Sequence, residues 1–399
     1  MHRGLLVSAG VLFAATAVLL PARVLGGPAH GELVPTDGPR YGAHLVAVDA
    51  AWNLRFETDS GTRALPAADL VTWGSLEEPS GGVQVLLAGG GILIGSKPAI
   101  SGERLTIETE LFGKHAIPLV QVLGIIVRAP ASPDRRDRLA ETLLADQRSA
   151  DRVVLHNGDE LTGTIGALVA GEVEISTEAG AVKVAAEKIA AIGFDASLVS
   201  PPPRDGKRAL VGFRGGSRLL AVALRVENGR AALTTADGET WEADSESITF
   251  LQPFGGRATY LSDREHTVYR QVPFLSVAWP FALDRNVAGT PLRAGGRLFA
   301  KGIGMHSASR LSYALEGGEQ RFEADACLDD HVGAGGSVVF RVFVDQEERY
   351  VSPVIRGGDA PVPISVEVSG ARQLSLVVDF ADRGDELDRA NWLNARLVE

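Results

Sequence analysis

Apolar residues alternate with polar ones along most of the chain, in runs of a few residues separated by Gly, Asn and Asp. That period of two marks half-buried strands joined by tight turns. The clearest stretch begins at Val153. Val153, Val154 and Leu155 lead to Asn157-Gly158, then Leu161 to Ile165, Val173 and Ile175, Gly180, Val182 and Val184, and finally Ile189 and Ile192. Asn-Gly between alternating runs is a strong hairpin signal, because both turn residues need positive φ. The pattern predicts five short strands.

The same pattern recurs. Leu210 to Phe213, Leu219-Leu220, Ala231 to Leu233, Trp241 and Ile248 follow it. Val83 to Leu87, Ile92-Leu93, Leu105 to Ile107, Ile117 and Val122 precede it, and a weaker copy starts at Leu33. The copies occupy 30–78, 79–130, 151–198 and 207–254. Units of this length point to small SH3-like or Sm-like barrels, with β-propeller blades as the rival reading. Barrels are favoured because closing a short sheet removes its edges.

One segment, 131–150, breaks the alternation. Ser132 suits a helix cap, Pro133 the first position and Asp134 the first turn. Leu139 and Leu143, with Ala140 and Leu144, recur at helical spacing. A helix near 133–148 is expected between the second and third repeats, with a charged outer face. Pro201-Pro202-Pro203 makes 199–206 a stiff connector. A Gly-rich seam at Gly255-Gly256 opens a final region, 255–399.

Composition changes this picture in four places. The chain has 399 residues, too many for one small core, so several domains are expected. Its net charge of -11, without a Lys/Arg cluster, argues against nucleic acid as a partner. His2 and Arg3, an apolar run from Gly4 to Leu20, and small residues at Gly26, Gly27 and Ala29 read as a signal peptide over 1–29. Export to the periplasm or outside the cell follows as an expectation. No later stretch is apolar enough to remain as a membrane span. The single cysteine, Cys327, sits in an alternating run and reads as a small buried hydrophobe.

The final region carries the informative motifs. They are Tyr260-Leu261-Ser262-Asp263, Lys301-Gly302-Ile303-Gly304-Met305-His306-Ser307, Leu328-Asp329-Asp330, Gly336-Ser337-Val338-Val339-Phe340 and Asn391-Trp392. In this order they resemble the NPCBM family of carbohydrate-binding modules over nearly all of 259–399. The resemblance implies a galactose-binding-like jelly-roll β-sandwich and a glycan partner. The fold class expected for the whole chain is mainly β: tandem barrel-like repeats, then the sandwich, with one helix. Alternation at Val338, Phe340 and Val342, and at Leu374, Leu376 and Val378, independently suits sandwich strands.

Sugar recognition needs an aromatic face for C–H groups and planar polar groups for hydroxyls. Trp279, Asp284, Asn286, His306, Asp330, Asn391 and Trp392 are the candidates of those types. The acidic, Gly-containing loop Asp379, Asp382, Asp385, Glu386 and Asp388 offers hard oxygen ligands, with Asp382, Asp385 and Asp388 as calcium candidates and a solvated turn as the rival reading; related sandwich modules often hold a structural calcium ion. Arg270 to Ser276 depart from the family's Gly/Trp-rich segment, so sugar specificity does not carry over. No catalytic motif appears, and the segments described use up the chain. A non-catalytic glycan-binding protein is the expectation. The alternative is a structural or interaction component that uses the repeats to bind proteins and has lost sugar binding.

Overall fold

The computed structural model describes residues 31–145, 149–273, 277–382 and 384–399. The expected signal peptide and the last residues of the expected helix, 146–148, lie outside the described residues.

Each repeat folds into five strands. In the first they are Gly31–Pro35, Tyr41–Val48, Asn53–Thr58, Gly61–Pro66 and Leu70–Gly74, with a 3₁₀ turn at Ala67–Asp69 before the last. The last strand returns beside the first, placing Leu33 opposite Trp73. The long second strand shifts register between Leu45 and Ala47, so its two halves pair with different neighbours. Such a bulge bends and twists a strand, and here it turns the corner around Leu33, Leu54, Phe56 and Trp73. The second repeat (Val83–Leu87 to Val122–Ile126) and third (Asp151–Leu155 to Ile189–Gly193) keep this order. The fourth (Arg208–Phe213 to Ile248–Phe254) replaces the bulge by an interruption at Val222.

The repeats join in nested pairs rather than in a ring. The last strands of the first and fourth pair through Trp73 and Leu251, and those of the second and third through Ile125 and Ile192. Second contacts match: Val48 meets Val226, and Ile100 meets Leu168. Ile92 opposite Arg218 links the second repeat to the fourth. Gly74 shows how close the backbones come. Its φ is 78°, and a Cβ there would lie 1.9 Å from the Thr249 carbonyl oxygen. Only glycine fits.

The helix, α1, runs Pro133–Ala145. Leu143 is buried, and Leu139, Ala140 and Leu144 pack with it over Leu86, Ile126 and Ala191. It seals the junction between the second and third repeats. Its charged outer face is exposed at Asp134, Arg135 and Arg138 as expected, but Asp137 is buried, because it pairs with Arg293 of the C-terminal region.

That region is a sandwich of two antiparallel sheets. One orders Ala282–Leu283, Gly302–His306, Arg389–Val398, Arg321–Leu328 and Val362–Glu367, with Ala258–Tyr260 also on Arg389–Val398. The other orders Val268–Gln271, Ser309–Ala314, Gln373–Phe380, Ser337–Val344 and Glu347–Val351, with Ile355–Arg356 on Ser337–Val344. Tyr313, Phe322, Phe340, Leu376 and Trp392 fill the space between them. Cys327 is buried, and burial pushes its thiol pKa up, as fits a packing residue.

The sandwich is docked on the repeats by charge and hydrogen bonds. Arg40 donates to both Asp325 oxygens at 2.7 and 2.8 Å. Arg257 and Arg321 share Asp37, and Gln252 donates to the Tyr260 hydroxyl at 2.8 Å. Beneath α1, Arg293 donates to Asp137 at 2.9 Å and also binds Glu78.

Candidate carbohydrate-binding site

Trp279 and His306 come together at one end of the sandwich. Their rings are parallel within 5° and their centroids are 5.0 Å apart. Local hydrogen bonds place the tryptophan. Its backbone N–H donates to Gln271 Oε1 at 2.6 Å, and the Tyr269 hydroxyl donates to its carbonyl at 2.6 Å. Strand pairing places the histidine, since Gly302–His306 lies on Arg389–Val398 with His306 opposite Arg389. Asp385 and Leu387 arrive from the preceding loop. With Val277 these side chains surround a cavity of about 250 Å³.

Asp385 and Arg389 are the charged groups that line this cavity. His306 Nδ1 has no hydrogen-bond partner although the ring is buried. Burial lowers the imidazole pKa, and Arg389 adds to this against the opposing pull of Asp385, so the ring is neutral at neutral pH. Leu387 holds φ at 59°, a conformation that costs a branched residue about 1–3 kcal/mol, and its side chain stays exposed. A flat ring pair, exposed apolar groups, a carboxylate and a guanidinium line one small concavity. That set suits the mixed C–H and hydroxyl surface of a monosaccharide.

The other five candidates do not reach it. Trp392 is fully buried against Phe322 and Phe340. Asn286 Nδ2 donates to Thr290 Oγ1 at 2.7 Å and Asp329 Oδ1 at 3.1 Å, while its oxygen caps the backbone of Ala288 and Thr290. Asn391 donates to Asp329 Oδ2 at 2.7 Å. Asp330 accepts from the amides of Gly295 and Gly296. Asp284 accepts from Lys301 Nζ at 2.8 Å. These groups hold loops and strands together.

The acidic loop also disperses. Asp382 pairs with Arg356 at 2.6 Å, Asp385 faces the sugar-sized cavity, and Asp388 accepts from the Ser337 amide at 2.8 Å. Burial raises the Asp388 pKa to about 6, and its Oδ2 is buried without a hydrogen-bond partner. Among the described residues, Asp382, Asp385 and Asp388 do not come together as a group of three ligating side chains.

Arg389 and Leu387 were not visible as site residues in the sequence, and Asp385 was visible only as an acid. Each reaches the cavity through strand pairing or loop shape. Asp329 was visible only within the Leu328-Asp329-Asp330 motif and His331 not at all, yet they centre the buried polar cluster.

Residues 257–398 match the NPCBM/NEW2 domain. Alpha-1,3-galactosidase B from Akkermansia muciniphila is 34% identical over 116 residues, which is 28% of this chain and 14% of that protein. A Renibacterium salmoninarum protein is 34% identical over 110 residues, of which this chain covers 7%. The chain thus spans a small part of the curated relatives it matches. A solved structure of CBM51-2 in complex with GlcNAc and INT domains from Clostridium perfringens ZmpB is 29% identical. It covers 43% of this chain and 36% of its own, with a TM-score of 0.33. CBM51 from Clostridium perfringens GH95 in complex with methyl-galactose is 23% identical, over 35% of this chain and 99% of its own, with a TM-score of 0.32. The NPCBM/NEW2 domain is a carbohydrate-binding domain, and both ring residues of the cavity lie inside the matched segment. Among the described residues, no helix is long and apolar enough to cross a membrane.

Proposed function

We propose that this protein is an exported, non-catalytic glycan-binding protein whose NPCBM/NEW2 domain takes a galactose-type or other terminal sugar in the Trp279–His306 cavity. The observation that carries this reading is the parallel ring pair with Asp385 and Arg389 beside it. Sugar C–H groups would lie on the exposed ring face, and hydroxyls would bond to Asp385 and Arg389. The export reading rests on the N-terminal sequence. The four repeats are read as SH3-like barrels that space the module and present it to surface polysaccharide.

A glycan panel probed with the full chain tests this. Expected is saturable binding at micromolar to millimolar strength, about 4–8 kcal/mol, as suits a shallow single-sugar site. Trp279→Ala and Arg389→Ala should each weaken it tenfold or more. Binding that survives both substitutions would move the site elsewhere. No binding by the folded chain would leave protein interaction through the repeats as the function.

A further inference from the structure

A second, deeper cleft lies where the second and fourth repeats, α1, the proline connector and the sandwich meet. Its volume is about 340 Å³. Four carboxylates line it, and each is already held by a cation. Glu78 and Asp137 belong to Arg293, with Arg136 also on Glu78. Asp263 and Asp284 share Lys301 at 2.7 and 2.8 Å.

Three half-buried guanidiniums in the same cleft have no such partner. Among the described residues Arg208, Arg218 and Arg285 form no salt bridge. Arg218 donates Nε–H to the Gly90 carbonyl at 3.0 Å, and Arg285 donates to the Gly289 carbonyl at 3.0 Å. Arg208 lies over the Phe254 ring, 5.5 Å from its centroid. A guanidinium has five N–H groups, so most donors of each remain unused. The cations arise from three separate segments, and in a chain of net charge -11 their convergence runs against the overall field. Burial lowers the pKa of all three, that of Arg218 to about 10 with the neighbouring Arg285 adding to the shift, while Asp263 near Arg208, Glu141 near Arg285, and Glu78 and Asp137 near Arg218 pull the other way. Grouped, dehydrated cations are costly until an anion joins them.

We infer that this cleft is a binding site for a small oxyanion-bearing ligand, whose carboxylate, sulfate or phosphate group sits among Arg208, Arg218 and Arg285. Planar guanidinium forks match all three groups. Leu86, Leu220 and Phe254 on the walls leave room for a carbon skeleton. The cleft is distinct from the Trp279–His306 cavity and does not depend on it.

The test is thermal unfolding of the full chain in inorganic phosphate, sulfate or glucuronate, each against sodium chloride of equal ionic strength and against galactose. At least one oxyanion should raise Tm by about 3 °C or more beyond the chloride control, as preferential binding to the folded state requires. Arg218→Gln and Arg285→Gln should each weaken that response about tenfold, and Trp279→Ala should leave it unchanged. A stronger response to glucuronate assigns a carboxylate-bearing ligand, and a stronger response to phosphate or sulfate assigns a tetrahedral one. No shift beyond chloride, or a shift that survives both arginine substitutions, overturns the inference. Should Arg218→Gln fail to fold, the wild-type titration and Arg208→Gln supply the same decision.

Discussion

Two clusters in the sandwich use the same kinds of residue to opposite ends. At one end, Trp279, His306, Asp385 and Arg389 surround a concavity, and His306 Nδ1 is left without a partner. Beside α1, Asn286, Asp329, His331 and Asn391 are closed upon one another. Asp329 accepts from Asn286 and Asn391 and bonds His331 Nδ1 at 2.6 Å. His331 Nε2 faces α1, 3.3 Å from Asp134 and 3.6 Å from Asp137. The first cluster has capacity for a ligand. The second has used most of its capacity to join the sandwich to the helix, leaving only the buried His331 Nε2 and Asn391 Oδ1 without a hydrogen-bond partner. Residue type alone does not distinguish a site from a strut; whether the polar groups line an open concavity does.

Substitutions can break this contrast. The largest effect should come from Asp329→Ala, which strands a buried cation and two amides. Expected is a loss of about 3–5 kcal/mol in chemical unfolding. A loss below about 1 kcal/mol would mean that the cluster is not a structural join.

The pH dependence of stability probes the same cluster. The carboxylates of Asp137 and Asp329 raise the His331 pKa to about 9. A raised histidine stabilises most below its unfolded value near 6.5, and this contribution fades as pH rises through 9. Unfolding followed from pH 6 to 9.5 should lose about 1–3 kcal/mol, and His331→Gln should flatten the decline. An unchanged slope in that variant would place the titration elsewhere.

Trp279→Ala should separate the clusters from the other side. Glycan affinity should fall at least tenfold, about 1.4 kcal/mol, with the folding midpoint nearly unmoved. Loss of both together would make Trp279 a packing residue.

The smallest effect belongs to Asp388, buried behind the loop that carries Asp385. Burial raises its pKa to about 6, so its contribution is full below about 3.8 and lost as pH rises through 6. Asp388→Asn keeps the acceptor for the Ser337 amide and removes the buried charge. A gain of about 1 kcal/mol at pH 7.5 is expected, with glycan affinity unchanged. A net loss would show that the carboxylate itself is required.

How much of this was legible beforehand differs between fold and site. Alternation at Val338, Phe340 and Val342 put three side chains on one face, and all three are buried. Leu139, Ala140, Leu143 and Leu144 announced the inner face of α1 for the same reason. The lining of the candidate cavity was half legible. Trp279 and His306 drew attention by chemistry, but so did Trp392, which lies in the core. Arg389 carried no local signal, because its place beside His306 depends on two strands more than eighty positions apart in the chain.

The sequence by itself determined the strand-forming runs, the helix, the turns and the buried thiol, since side-chain period and turn chemistry act over a few residues. Tertiary structure alone decided the nested pairing of the repeats, the burial of Asp137 under Arg293, and which polar residues kept a free atom. Those outcomes are set by what distant segments bring to the same point, and no local pattern encodes the partner that a side chain will meet.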